Sequence, residues 1–249
     1  MRMRSLAAVS SGALALSVFA VPAAHADDGP VITDVVVNGG AALALGPTAA
    51  KTFKVSVTAE HSSGIDKMTI HVSLASFFDR QSDRGLTCAA VSATTSTCTG
   101  SWTVDTGGVY DNGAADDPWY VRASVWADDA SFMNTNSAAT FAVRRLAKLS
   151  VNAAPEPVRK NAKLTVTGKL TRADWKARKN AGYSGRSVKL QFRKKGTDTY
   201  STVKTVGSGS GGALKTTVKA TADGYWRWTF AGNSTTSAAK AKGDYVDVR

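Results

Sequence analysis

Residues 51–60, KTFKVSVTAE, place Phe53, Val55, Val57 and Ala59 on one side of an extended chain and Lys54, Ser56, Thr58 and Glu60 on the other. Successive side chains of a strand point to opposite faces, so strict alternation marks a strand with one face buried and one wet. The pattern recurs. KMTIHVSL (67–74) alternates Met68, Ile70, Val72 and Leu74 with Thr69, His71 and Ser73. PWYVRASVWA (118–127) separates Trp119, Val121, Ala123 and Val125 from Tyr120, Arg122 and Ser124. VITDVVV (31–37), the stretch through Trp102 and Val104, and ATFAVRR (139–145) complete roughly seven strands for the first half. The second half repeats the style with KLTVTGKL, SVKLQFRK, TYSTVKTV, LKTTVKA, YWRWTF and DYVDV. Helical periodicity is weak throughout, which confines the chain to the all-β class. Short strands separated by Gly, Asn and Ser turns predict sandwiches. TRADWKARKNAGYSG (171–185) and GSGSGG (207–212) read as loops.

YWRWTF (225–230) carries two of the six tryptophans one residue apart. On a strand, Trp226, Trp228 and Phe230 share one wholly apolar face, and Tyr225, Arg227 and Thr229 the other. This is the pattern of a core strand, since aromatic side chains bury large areas. A sugar-binding platform would need an indole on the outer face.

The first 26 residues read as a cleaved signal peptide: Arg2 and Arg4, an apolar run from Leu6 to Ala20, and Ala24-His25-Ala26 at the cleavage position. The run is too short to span a bilayer, which takes about 20 residues. The expected product is secreted and extracellular, without a membrane span. Charge divides what remains. Residues 27–143 hold 6 Lys/Arg against 13 Asp/Glu, a balance of −7, and residues 144–249 hold 23 against 6, a balance of +17. The switch at VRRLAK predicts an acidic domain, 27–145, and a basic one, 146–249. In an exported protein the two cysteines, Cys88 and Cys98, are expected to oxidise to a disulfide. Free thiols or a metal pair are the alternatives, although two cysteines cannot complete a tetrahedral zinc site.

Recognisable catalytic chemistry is sparse. His61 and His71 read as solvated surface residues, with nothing in the sequence to orient either as a base. GSGSGG formally matches G-x-G-x-x-G, but a strand follows it, where a dinucleotide site needs a helix N-terminus. Carboxylates concentrate in DTGGVYDNGAADD (105–117), with Asp105, Asp111, Asp116 and Asp117, and again at Asp128 and Asp129. Calcium takes several carboxylate and carbonyl oxygens, which loops between strands can supply, so these six are the candidate metal ligands and calcium the one candidate cofactor. Ordinary Asp/Gly turns explain the same residues. In the basic half, Arg172, Lys176, Arg178, Lys179 and Arg186 surround Trp175 and Tyr183. Cations interleaved with aromatics can grip phosphate polymers; a solvated face that keeps the protein soluble is the alternative. Lys189 and Arg193 project on one strand face beside Gln191.

KLSVNAAPEPVRKNAKLTVTGKLTRADW, SVKLQFRKKG, TYSTVKTV, TTVKATADGYWRW and GDYVDVR, with KTFKVSVTAEHSSGIDK and CAAVSATTSTC in the first half, resemble a family of secreted Streptomyces proteins. The resemblance covers nearly the whole chain after the leader. It implies immunoglobulin-like domains in an exported actinobacterial protein. Members are loosely labelled calcium-binding, with no established activity and no catalytic residues to carry over. The expectation is therefore two tandem immunoglobulin-like sandwiches forming a non-catalytic extracellular binding or structural protein. Its expected partners are anionic cell-wall polymers or another extracellular protein, with nucleic acid bound only non-specifically. A secreted enzyme, or an inhibitor of one, is the alternative.

Overall fold

The computed structural model describes residues 29–74, 78–106 and 111–249. The expected leader, residues 1–26, lies outside the described residues. Ten strands form the first unit: β1 (Val31–Val37), β2 (Leu43–Leu45), β3 (Lys51–Glu60), β4 (Ile65–Leu74), β5 (Phe78–Gln81), β6 (Thr87–Ala90), β7 (Thr95–Val104), β8 (Trp119–Ala127), β9 (Phe132–Phe141) and β10 (Val143–Arg145). They pair as β1-β3-β7-β6 and β5-β4-β8-β9. In immunoglobulin lettering these are A-B-E-D and C′-C-F-G. The first strand divides between the sheets: β1 runs antiparallel to β3, while β2 runs parallel to β10. Asn38, Gly39 and Gly40, all at positive φ, turn the chain from one sheet to the other. The alternating apolar residues meet between the sheets, where Phe53, Val55, Val57 and Trp102 face Ile70, Val72, Trp119 and Val121.

The second unit holds β11 (Ala147–Ala154), β12 (Lys163–Asp174), β13 (Lys179–Gly182), β14 (Ser187–Lys194), β15 (Ser201–Gly207), β16 (Ala213–Lys219), β17 (Gly224–Phe230), β18 (Ala239–Lys240) and β19 (Asp244–Val246). β12 lies between β11 and β16, and β14 and β17 lie between β15 and the short strands β18 and β19. That order is A-B-E against C′-C-F-G. Trp226, Trp228 and Phe230 are all buried, against Leu164, Val166, Leu170 and Leu190. The Trp228 indole N–H donates to the Thr167 carbonyl at 3.0 Å. Gly168 permits this approach, because a Cβ there would lie 2.8 Å from Trp228 Cδ1. The paired tryptophans are thus core, and both units are immunoglobulin-like sandwiches.

Cys88 and Cys98 are bonded. The bridge joins directly opposed residues of β6 and β7, with Cα atoms 4.0 Å apart, and so staples neighbouring strands of one sheet. Immunoglobulin domains more commonly tie their two sheets together this way; here Val57, Trp102 and Trp119 fill that space.

Segment 171–185 is not a loop. β12 continues to Asp174, turns, and pairs back through β13, with Thr171 opposite Gly182 and Asp174 opposite Lys179. The hairpin shows no apolar alternation because its apolar residue, Trp175, packs elsewhere. Together with Ala173, it belongs to the core of the first sandwich. Its indole N–H donates to the Leu45 carbonyl at 3.3 Å, and its backbone N–H donates to Asn112 Oδ1 at 3.0 Å. Asn112 in turn donates to Asp174 Oδ1 at 2.9 Å. Arg145 is buried at the seam, its Nε donating to the Ala173 carbonyl at 2.6 Å. Burial, and then the charge of Arg172, lower its pKa. The joint between the sandwiches is therefore packed and hydrogen-bonded, with only Leu146 between β10 and β11.

Candidate anion-binding groove

The outer face of the β14–β17 sheet collects the side chains that alternate with the core. Lys189, Gln191 and Arg193 stand on β14. Tyr225, Arg227 and Thr229 stand on β17, with Gln191 opposite Arg227 and Lys189 opposite Thr229. Lys240 of β18 stands opposite Thr229 on the other side. Neighbouring strands lie about 4.8 Å apart, so Lys189 and Lys240 flank Thr229 with roughly 10 Å between their strands. A groove of about 550 Å³ opens over this surface. Arg186, Lys189, Arg227 and Lys240 line it, and no carboxylate does. Among the described residues, none of these four cations makes an ion pair with Asp or Glu.

Aromatic rings hold the guanidinium groups in place. Arg227 lies 3.6 Å from the Tyr200 ring centroid, and its Nε donates to Gln191 Oε1 at 2.9 Å. Arg193 lies 4.2 Å from Tyr225 and 5.3 Å from Tyr200. Tyr225 packs against Tyr245 at 5.2 Å. Stacking leaves a guanidinium charged while restricting its motion, so less entropy is lost when an anion arrives. At one edge of this ladder, Lys195 meets Tyr245, and the Tyr245 hydroxyl raises the Lys195 pKa.

The residues singled out in the sequence separate into three places. Arg186 lines the groove, its guanidinium 4.8 Å from the Tyr183 ring centroid. Lys176 and Arg178 are exposed on the turn between β12 and β13, and Lys179 is exposed at the start of β13. Arg172 is half-buried, 4.0 Å from the Tyr183 ring, and donates to Thr236 Oγ1 at 3.2 Å. Trp175 is only 2 % exposed and lies inside the joint, so it offers no stacking surface. Tyr183 is buried too. Arg227 and Lys240 escaped the initial set of binding residues. The outward phase of YWRWTF signals Arg227, whereas TSAAKAKG (236–243) around Lys240 has no periodicity to place it.

The six aspartates do not converge. Asp105, Asp111, Asp116 and Asp117 precede β8, while Asp128 and Asp129 follow it. A nine-residue strand separates the two groups, a span of roughly 30 Å. Several of these carboxylates serve their own turns. Asp111 Oδ1 accepts from the Gly113 N–H at 2.7 Å, and Asp129 Oδ1 from the Ser131 N–H at 2.9 Å. Among the described residues, no three Asp, Glu, His or Cys side chains could hold one ion. The six therefore do not share one site.

His61 is not solvated but buried. Its Nδ1 accepts from the Ser63 backbone N–H at 3.2 Å and lies 3.8 Å from Asp129 Oδ2, while Nε2 lies 3.4 Å from Ser131 Oγ. Nδ1 also lies 2.8 Å from Ser63 Oγ. The cluster ties the β3–β4 and β8–β9 turns together. His71 is half-exposed and lies 3.3 Å, through Nε2, from Gln81 Nε2.

No family model matches the chain, and no curated protein does. Solved structures resemble it. The D00-D0 domain of Intimin is 14 % identical with a TM-score of 0.28, covering 86 % of this chain and 99 % of that one. The D0-D1 domain of Intimin is 18 % identical with a TM-score of 0.29, covering 87 % and 98 %. The three N-terminal domains of the bacteriophage RB49 Highly Immunogenic Outer Capsid protein are 10 % identical with a TM-score of 0.34, covering 88 % and 70 %. The fold assignment rests on the chain's own strand order.

Proposed function

We propose that the chain is a secreted, non-catalytic binding module whose basic sandwich holds linear polyanions of the cell envelope. The observation that carries this reading is the groove over β14 and β17, lined by four cations and no carboxylate. Two of those cations are held over tyrosine rings. The groove is lined by cations and neutral side chains, with no paired acids for bidentate readout, so recognition is by charge. Binding of this kind is driven by release of counterions and weakens with salt.

The full chain without its leader, titrated with purified wall teichoic acid, tests the reading. Four phosphate contacts predict a log–log salt slope of about −3, using the single-strand factor of about 0.7 per contact. Affinity should then fall several-hundred-fold between about 50 and 500 mM salt. Lys189→Thr with Lys240→Thr should remove about half of that slope. Absence of binding at 50 mM, or binding indifferent to salt, would overturn the proposal.

A further inference from the structure

The opposite face of the same sandwich is also cationic. Lys148 and Lys163, Lys169, Lys215 and Lys219 occupy outward, exposed positions of β11, β12 and β16. The remaining outward positions of these strands are Ser150, Asn152, Ala154, Thr165, Thr167, Thr171, Ala213 and Thr217, so no carboxylate interrupts the face. Lys163 stands directly opposite Lys219. Like charges opposed across strands are destabilising. A surface that only kept the protein soluble would have no need to place them there, since interspersed signs serve solubility better. From Lys163 to Lys169 the row extends about 20 Å along one strand, flat and polar.

We infer that this face is a second binding surface for a linear polyanion, and that the basic sandwich bridges two polymer strands. The inference rests on the reading of the groove as a polyanion site. The groove lies over the β14–β17 sheet and the lysine face over the β11–β12–β16 sheet. Leu164, Val166, Leu190 and Trp228 fill the core between them. Packed sheets lie about 10 Å apart, and side chains extend outward from each. The two surfaces therefore face opposite directions, and a straight segment of polymer laid along one leaves the other open. A module with two such sites cross-links long chains, whereas a module with one only coats them.

The full chain without its leader is tested with two probes at about 50 mM salt, the regime in which phosphate contacts are least screened. Short linear oligophosphate gives the stoichiometry by native mass spectrometry, and long-chain polyphosphate gives network formation by light scattering. The wild type should bind two oligomers and scatter most strongly at an intermediate protein-to-polymer ratio. A face variant (Lys163→Thr, Lys169→Thr, Lys215→Thr, Lys219→Thr) and a groove variant (Lys189→Thr, Arg227→Gln, Lys240→Thr) should each bind one oligomer and form no network. Circular dichroism should match the wild type, because threonine suits strand surfaces. Single Lys219→Thr, which removes only the opposed charge, should weaken the second site while leaving the first unchanged. One oligomer per wild-type chain, with the face variant indistinguishable from it, would overturn bridging and leave the groove reading intact. No oligomer bound by the wild type would overturn both.

Discussion

Replacing Trp175 separates its two readings, as a ligand platform and as a structural pin. Trp175 comes from the hairpin of the second sandwich, yet its ring is 2 % exposed and packs in the core of the first. Truncation of a fully buried tryptophan to alanine costs about 3–5 kcal/mol, combining lost transfer energy with the cavity left behind. The indole hydrogen bond adds little to this. Its acceptor, the Leu45 carbonyl, also takes the Leu146 N–H at 2.8 Å and stays satisfied. Trp175→Phe should therefore cost only about 1–2 kcal/mol, mostly for the smaller ring. At about 2–4 °C per kcal/mol for a chain of this size, Trp175→Ala should lower Tm by roughly 6–20 °C. Differential scanning calorimetry should also show the melting of the two sandwiches drawn apart, since the residue links their cores. Polymer affinity at low salt, measured well below Tm, should not change. Unchanged melting together with lost binding would refute the packing argument and restore Trp175 to a ligand surface.

Other expectations follow from single contacts. Gly168→Ala drives a methyl against Trp228 and the Ser150 carbonyl; it should destabilise the second sandwich by about 1–3 kcal/mol by denaturant titration. Cys88→Ser with Cys98→Ser removes a cross-link between residues ten apart; it should cost about 2–4 kcal/mol and lower only the transition of the first sandwich. Asp174 is held below the usual carboxylate range, first by the Ala177 N–H and then by Asn112. Its ionised form therefore contributes stability above its unfolded pKa of about 3.9, lost as pH falls through the lowered value. Asp174→Asn should flatten the acid side of the stability–pH profile below about pH 4, and an unaltered profile would count against the joint as drawn.

The fold was legible where alternation is strong. Lys51–Glu60, Ile65–Leu74, Trp119–Ala127 and Gly224–Phe230 each bury one face, so their pattern records their environment directly. β9 was only half visible because FMNTNSA lies toward the sheet edge, where Phe132, Asn134, Asn136 and Ser137 are exposed and the partially buried positions alternate poorly. The β12–β13 hairpin was hidden for a different reason: its one large apolar residue, Trp175, is buried by the other sandwich. Nothing local in TRADWKARKN distinguishes a tryptophan that reaches across a joint from one that waits for a ligand. The groove was partly legible, since Lys189 follows from the phase of SVKLQFRK. Its closing residue, Lys240, depends on strand pairing that the sequence around it does not signal. The aspartates part into two groups, because closeness in sequence says nothing about which end of β8 a turn occupies.

Charge placement shows how the acidic and basic halves coexist in one chain. An acidic unit of balance −7 joined to a basic one of +17 could offset part of its charge. The joint decides how far this goes. Burial of Arg145 lowers its pKa, and the carboxylates of Asp174 and Asp116 oppose that shift. The first sandwich therefore meets the second at the end where β11 begins and β12 finishes. Lys163 and Lys219 stand at the other end of the sheet, nine residues along β12 from Arg172, a distance of roughly 30 Å. At physiological salt the screening length is about 8 Å, so the acidic unit has little hold on those lysines. At about 10 mM salt the screening length grows to roughly 30 Å, and the two units begin to attract each other's surfaces. Binding to a polyanion should therefore rise less steeply on dilution below this point than counterion release alone predicts, because the chain's own carboxylates begin to compete. That curvature should shrink when Asp116 and Asp117 are replaced by asparagine, while the slope above about 100 mM stays the same.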